Sequence, residues 1–174
     1  MTPFKISVLV FLRDGRGRQL LIKRSKAPNL GCWSPIGGKL EMERGESPFE
    51  CAIRETKEEV GLALTETDLH LFAYISEKNY EGGAHWLMFM FDCKKVLPGI
   101  PPDGDEGKFG LFTREEIDDL AVPSTDLVLV WPWYDKYRGG FVCLRANCAP
   151  GEALEVVVEQ TMTVKQSRTP FDLV

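Results

Sequence analysis

At 174 residues, with 44% hydrophobic and 27% charged residues, the chain has the composition of an ordinary soluble globular protein and is long enough to bury a core. A formal net charge of -5 without any basic cluster excludes the electrostatic footprint of a protein that binds a nucleic-acid duplex. An anionic substrate would need metal ions, or a few local Lys and Arg side chains, to offset repulsion.

In chain order, "KISVLVFL" (5–12) and "QLLIKRS" (19–25) read as strands around the turn "RDGRGR". That turn is a hairpin rather than a phosphate loop, because the G-x-x-x-x-G-K-[ST] pattern is missing and no helix pattern follows. The first apolar run is too short to span a membrane and has no charged leader, which points to a cytoplasmic protein with no membrane partner. Residues 27–47, "APNLGCWSPIGGKLEMERGES", predict a long Gly- and Pro-punctuated loop with a short extended piece near Lys39–Glu41. Loops of that length in a compact domain are usually functional.

The best-signalled helix follows. Ser47 reads as its N-cap, Pro48 as the first helical residue, Glu50 as the partner in a capping box, and Gly61 as the C-terminal stop. Phe49, Ala52, Ile53, Thr56 and Val60 recur at helical spacing and predict the buried stripe. Glu55, Glu58 and Glu59 form a neighbouring stripe at i, i+3 and i+4, where like charges repel by about 0.2–0.5 kcal/mol per pair on an exposed helix.

Two strand patterns, 69–76 and 84–95, flank a turn around Glu81–Gly83. Residues 98–107 read as a loop and "KFGLF" as a short strand. Thr113 and Glu116 predict a second capping box, on a short helix ending near Leu120. Residues 124–138 look helical with a break or kink at Pro132, and "GFVCLRAN" and "ALEVVVEQTMTV" form a final hairpin across "CAPGE". This order predicts an α/β protein of the mixed α+β kind, without the regular alternation of a doubly wound sheet. One domain is expected over residues 1–164, with a loose C-terminal tail over 165–174. The five cysteines include no C-x-x-C pair and read as small buried hydrophobes in a reducing compartment. His70 and His85 read as strand-surface residues, so a histidine-rich metal site is not expected.

Three carboxylates on one helical face, with Glu46 just ahead of them, make an oxygen-donor cluster of the kind hard cations such as Mg²⁺ prefer. The plainer alternative is a solvated charged face in which Arg54 pairs with Glu58. The loop "GGKLEMERGE" brings Gly37, Gly38, Lys39 and further acids to the start of the same helix, and adjacent glycines let backbone approach a metal or phosphate closely.

Residues 38–62, "GKLEMERGESPFECAIRETKEEVGL", resemble the signature of the Nudix hydrolases, Gly-x5-Glu-x7-Arg-Glu-U-x-Glu-Glu-x-Gly-U with U a large aliphatic residue. Spacing matches from Glu46 through Arg54, Glu55, Glu58, Glu59, Gly61 and Leu62, and the strand order suits the family over about residues 4–146. Two departures stand out. Gly38 lies seven residues before Glu46, as though "EMERGE" carried a two-residue insertion, and Thr56 occupies an aliphatic position.

The resemblance implies a Nudix-like α/β/α sandwich with a central mixed sheet. It implies Mg²⁺- or Mn²⁺-dependent hydrolysis of a nucleoside diphosphate linked to another moiety, a small-molecule nucleotide substrate. By position, Glu55, Glu58 and Glu59 would be metal carboxylates, the Gly38 carbonyl a further ligand, and Glu46 and Arg54 a pair bracing loop against helix. Glu106 would add an acid from a distant loop, with Asp105 as runner-up. The general base stays open among Glu55, Glu58 and Glu106.

For the substrate, the signals outside the signature diverge. No proline follows at the spacing of the ADP-ribose hydrolases, and the S-Q-P-W-P-F-P run of the NADH hydrolases is missing. Tyr80, eighteen residues after Leu62, stands about where dinucleoside polyphosphate hydrolases carry a tyrosine. "GCWSPIGGK" and "STDLVLVWPWYDKYRGGFVCL" are similar to stretches of the oxidised purine nucleoside triphosphatases, although Ser34 replaces their usual Asn. On that comparison Asp126 would read the base, although the paired acids of those enzymes are reduced here to one. Lys39, from the glycine loop, would face the phosphates, and Trp33, Trp86 and Trp131 are candidate stacking partners for a base. The leading reading is cleavage of a nucleoside triphosphate, normal or oxidised, to monophosphate and pyrophosphate. The alternatives are a pyrophosphatase of dinucleoside polyphosphates or other nucleotide derivatives, and a non-catalytic Nudix-like binding module. Retention of Glu46, Arg54, Glu55, Glu58 and Glu59 weighs against the last. A homodimer is compatible with the sequence.

Overall fold

The first apolar run alternates as a strand buried on both faces should. The protein is described from a computed structural model that covers residues 4–27, 29–80 and 83–163. Strand β1 (Phe4–Phe11) sends Val8 and Val10 to one side and Leu9 and Phe11 to the other, and each set joins a different hydrophobic cluster. It is followed by β2 (Gln19–Arg24), β3 (Trp33–Ser34) and β4 (Ile36–Lys39). After helix α1 (Pro48–Val60) come β5 (Leu69–Tyr80), β6 (Ala84–Cys93) and β7 (Gly107–Phe112). Three short helices follow, α2 (Arg114–Asp118), α3 (Asp126–Leu129) and α4 (Trp131–Tyr137), and then β8 (Phe141–Asn147) and β9 (Glu155–Met162).

Six strands form a mixed sheet in the order β4-β1-β6-β5-β8-β9, in which β1/β6 and β5/β8 are parallel and the other neighbours antiparallel. A second, antiparallel sheet has the order β3-β2-β7. On one face of the large sheet, Cys51 and Ala52 of α1 pack on Val8, Val10 and Phe91. On the other, Trp131 and Tyr134 of α4 pack on Phe11 and Phe72, with Phe11 stacked on Tyr134 at 4.5 Å between ring centroids. Helices thus cover the sheet on both faces, as the expected sandwich requires.

The capping signals of α1 are all realised. Glu50 N donates to Ser47 Oγ at 3.2 Å, Ser47 N donates to Glu50 Oε2 at 2.8 Å, and Gly61 closes the helix with a left-handed φ of 74°. Thr56 is fully buried, yet its hydroxyl donates to the Ala52 carbonyl at 2.7 Å, so the polar atom in the aliphatic position is satisfied within the helix.

Several expectations need correction. The extended piece expected at Lys39–Glu41 lies earlier, as β3 and β4, because β4 pairs with β1 from Ile36 through Lys39. That pairing demands glycine at position 37, where a Cβ would overlap the Val8 carbonyl. The helical break expected at Pro132 falls at Val130, and Pro132 sits in the first turn of α4, where its missing N–H costs nothing. Strand β5 runs on to Tyr80 and carries Glu77 and Tyr80 with it. Glu81 and Gly82 of the expected turn, and the 165–174 tail, lie outside the described residues. All five cysteines are free, with Cys51, Cys93 and Cys143 buried and Cys32 and Cys148 half-buried. No helix among the described residues is long and apolar enough to cross a membrane.

Ser47→Ala removes one half of the α1 capping box and should lower unfolding free energy by about 1 kcal/mol. Urea denaturation followed by far-UV circular dichroism measures it, with the m-value expected to stay constant.

Candidate active site

Arg54 is about two turns into α1 from the Ser47 cap, and its guanidinium gathers the acids around it. Nε donates to Glu46 Oε1 at 2.7 Å and Nη2 to Glu46 Oε2 at 3.0 Å, a two-pronged pair with a carboxylate side chain only 8% exposed. Nη1 donates to Glu55 Oε1 at 2.8 Å and to Glu58 Oε2 at 3.2 Å, and Nη2 reaches the Lys39 carbonyl at 3.2 Å. The Arg54 guanidinium, with a smaller contribution from the Glu41 amide at 2.7 Å, holds the Glu46 carboxyl below its ordinary range despite partial burial. In the other direction, the hydrogen bonds that Arg54 donates to Glu46 hold it firmly in its charged form.

Gly38 lies where an added Cβ would overlap the Glu55 carboxylate, so glycine is what lets β4 and the helix carboxylate meet. The Gly38 carbonyl accepts the Cys51 thiol at 3.9 Å, and burial pushes that thiol up to about 12. Burial also raises Glu55, against the pull of Arg54. Glu59 is perturbed further. Burial, then the charges of Glu55 and Glu106, push it up to about 8, against the opposing charge of Arg24. Glu59 Oε2 is buried with no hydrogen-bond partner among the described residues. Glu58 is largely exposed.

These acids line one open cleft of about 830 Å³ that also takes in Lys39, Glu41, Arg24, Glu77, Tyr80, Trp86, Glu106 and Asp126. Glu106 stands across the cleft from α1 and pairs with Lys26 at 2.7 Å. Lys39 Nζ lies over the Trp86 ring at 5.7 Å. Tyr80 Oη donates to Asn29 Oδ1 at 3.4 Å. Asp126 is raised to about 7 by burial. Of the tryptophans expected to stack on a base, only Trp86 lines the cleft. Trp33 packs edge-on against Phe112 at 4.8 Å and is not part of the lining, and Trp131 is fully buried in the core. Apart from Trp33 and Trp131, the candidate residues line the cleft or, in the case of Glu46, are hydrogen-bonded to a residue that does.

The residues of the two-residue insertion form a single 3-10 turn, Met42–Arg44, with Met42 and Glu43 exposed. Glu41 at its base pairs with Arg44 at 2.9 Å and lies 4.0 Å from Arg54. The extra length is turned to solvent, and Glu46 keeps its partner.

Residues 3–136 match the NUDIX domain family. The chain belongs to the Nudix family. It is 30% identical over 100 residues to the Nudix hydrolase YvcI of Bacillus subtilis, an alignment covering 57% of this chain and 62% of that protein. It is 34% identical over 91 residues to the NAD-capped RNA hydrolase NudC of Pseudomonas aeruginosa, covering 52% of this chain and 30% of that one. The chain thus spans less than two thirds of the length of these curated relatives. Among solved structures, the mutator MutT protein of Bacillus halodurans superposes with a TM-score of 0.69 at 22% identity, over 90% of this chain and 98% of that one.

Within the Nudix signature the donors are carboxylate and carbonyl oxygens, the set that suits a hard divalent cation. The partnerless Glu59 oxygen and the Gly38–Glu55 contact fit such an ion. As they stand, no three His, Cys, Asp or Glu side chains among the described residues are gathered closely enough to hold one, while Arg54 holds Glu55 and Glu58 to itself. An ion would have to draw those two carboxylates off the guanidinium. Sequence reasoning missed Arg24 and Glu77 as cleft residues. Nothing in a strand reading of "YISEKNY" distinguishes a buried Glu from a solvated one.

Two outcomes follow. If Glu46 and Arg54 act as a unit, Glu46→Gln and Arg54→Gln should each destabilise the protein, and the double variant should cost less than their sum by at least ~0.5 kcal/mol in a denaturation cycle. The second concerns pH. A carboxyl whose folded pKa lies above its ordinary 4.5 favours the protonated native state, so its contribution is lost as pH rises from there through about 8. Metal-free protein should therefore lose stability over that range, and Glu59→Gln should flatten the slope; an identical slope in the variant refutes the assignment.

Proposed function

We propose that this protein is a divalent-metal-dependent pyrophosphohydrolase that cleaves a nucleoside triphosphate, normal or oxidised, to the monophosphate and pyrophosphate. The observation that carries this reading is the cleft itself. Its lining combines Glu55, Glu58 and Glu59, next to the Glu46–Arg54 pair, with Tyr80, Trp86 and Asp126. That is room for a polyphosphate beside acids and a base beside rings.

Glu55, Glu58, Glu59 and the Gly38 carbonyl are the groups that would hold Mg²⁺ or Mn²⁺. When bound, the cation supplies neutralisation of the phosphate charge and a more acidic water. The chain does the rest. Arg54 and Glu46 fix the loop against α1, so that the donors on both keep their separation. Lys39, at the cleft rim, offers an ammonium to the phosphates. Water attacks a phosphorus, the anhydride P–O bond breaks with its electron pair going to the pyrophosphate leaving group, and the water proton passes to a carboxylate. Glu55, Glu58 and Glu106 are the candidates for that acceptor. The buried environment of Glu59 suits a ligand whose charge is balanced only by a cation.

A pyrophosphatase acting on dinucleoside polyphosphates, or on dinucleotides such as NADH, shares this geometry at the acidic end and differs at the other. The test is a panel of normal and oxidised triphosphates, dinucleoside polyphosphates, nucleotide sugars and NADH, with Mg²⁺ or Mn²⁺, read by product chromatography. Triphosphates should give the highest kcat/KM, with pyrophosphate rather than orthophosphate released. Glu59→Gln should lower metal-dependent turnover by a factor on the order of 10² while the fold is kept, because a ligand charge is lost but no core volume. Binding of nucleotides without metal-dependent release of either product would instead identify a binding module.

A further inference from the structure

The Nudix signature places no residue on β1, yet β1 brings a cation to the rim of the cleft. Lys5 pairs with Trp86 across the parallel β1/β6 ladder, and Ser7, two residues on, pairs with Lys39 of β4. Directly paired residues, and residues two apart on a strand, share one face of a sheet. Lys5, Lys39 and Trp86 therefore stand on the same face as Ser7, and Ser7, Lys39 and Trp86 line the cleft. Both ammonium groups converge on one ring. Lys5 Nζ is 5.2 Å and Lys39 Nζ 5.7 Å from the Trp86 ring centroid. Both lysines are exposed, and among the described residues neither ammonium has a hydrogen bond or an ion pair. The acids around the cleft are engaged elsewhere: Glu41 with Arg44, Glu46, Glu55 and Glu58 with Arg54, and Glu106 with Lys26.

Two ammonium groups drawn to one ring repel each other. In a chain of net charge -5 a carboxylate between them would be the simple remedy, and no described carboxylate pairs with either. An ammonium over an exposed indole is held weakly, and its three N–H donors make no directed bond to an acceptor oxygen. A phosphate oxygen offers a full opposite charge and a short charge-assisted hydrogen bond instead. The ring thus parks two cations that an anion can collect. An anion carrying charge on two centres gives one to each ammonium.

We propose that Lys5 and Lys39, held over Trp86, form an anion subsite at the rim of the cleft that takes a pyrophosphate group, and that Lys5 is the residue that adds this subsite to the acids and glycines of the signature. The proposal rests on the reading of the cleft as a polyphosphate site and deepens it. The group arrives either as the outer two phosphates of a nucleoside triphosphate or as free pyrophosphate, and the chemistry at the subsite is the same for both. Trp86 is a positioning residue: its ring keeps two long, flexible side chains on one spot, so less rotamer freedom is lost when the anion binds. The ammonium of Lys5 adds charge without adding a donor to the metal end, so its effect is confined to ligands that carry the extra phosphates.

The experiment compares wild type with Lys5→Met, which keeps the apolar stem, and Lys5→Arg, which keeps the charge. Binding of inorganic pyrophosphate, and of GMP and AMP, is measured by calorimetry with and without Mg²⁺. Steady-state kcat and KM are measured for GTP and ATP, with pyrophosphate as product inhibitor. Lys5→Met should raise the pyrophosphate Kd by about fivefold, the upper range for one exposed ion pair, and leave the GMP and AMP Kd unchanged. Lys5→Arg should recover most of that affinity. A triphosphate KM that rises with the pyrophosphate Kd at constant kcat assigns the subsite to the substrate's outer phosphates. Weaker product inhibition at constant KM assigns it to released pyrophosphate. A wild type that binds no pyrophosphate, a Kd unmoved by Lys5→Met, or the same loss in Lys5→Arg as in Lys5→Met overturns the proposal. So does an equal loss for the monophosphates, which would report a general effect of charge. If pyrophosphate binds and responds to Lys5→Met but no triphosphate is cleaved, the anion subsite stands and the hydrolytic reading falls.

Discussion

The arrangement depends on one guanidinium. Helix α1 carries Glu55, Glu58 and Glu59 on one side, besides the capping Glu50, and receives Glu46 from the loop ahead of it, a concentration of negative charge that no helix propensity would sustain. Arg54 resolves it by hydrogen-bonding Glu46, Glu55 and Glu58 at once and by reaching the Lys39 carbonyl. The planar fork suits this task in a way that a lysine ammonium would not, because two of its edges face two different carboxylates. Loop, β4 and α1 are thereby tied at one point.

Around that point the two layers of helix have separate duties. The α1 side keeps Glu55 and Glu59 partly buried, which raises both carboxyls. The α3–α4 side is anchored by aromatic packing of Trp131 and Tyr134 on Phe11 and Phe72 and contributes Asp126 to the lining of the cleft. Strand β5 links them, since its last residues reach the cleft while its first are core.

Local signals made α1 legible to the residue: the cap, the box and the glycine stop act within one or two turns and need no tertiary context. The acidic stripe and the Glu46–Arg54 pair were legible for the same reason, through fixed spacing. The loop ahead of α1 was not, because β3 and β4 are two and four residues long and exist only through pairing with β2 and β1. Trp33 is a stacking candidate in the sequence because it is one of the few large planar side chains; its packing on Phe112 comes from the β3-β2-β7 sheet, a long-range pairing. Glu77 was invisible for a related reason. In a strand of mixed polarity, only the neighbouring strands decide which glutamate is buried.

The Cys51 thiol, lodged behind the Gly38 carbonyl and pushed up to about 12, has a consequence for durability. Only the thiolate reacts readily with peroxide or electrophiles, and at neutral pH almost none of this sulfur is in that form. Full burial removes access as well. The helix that carries the acids of the signature therefore has a sulfur at its back that is chemically quiet, and oxidative stress should leave this helix in place.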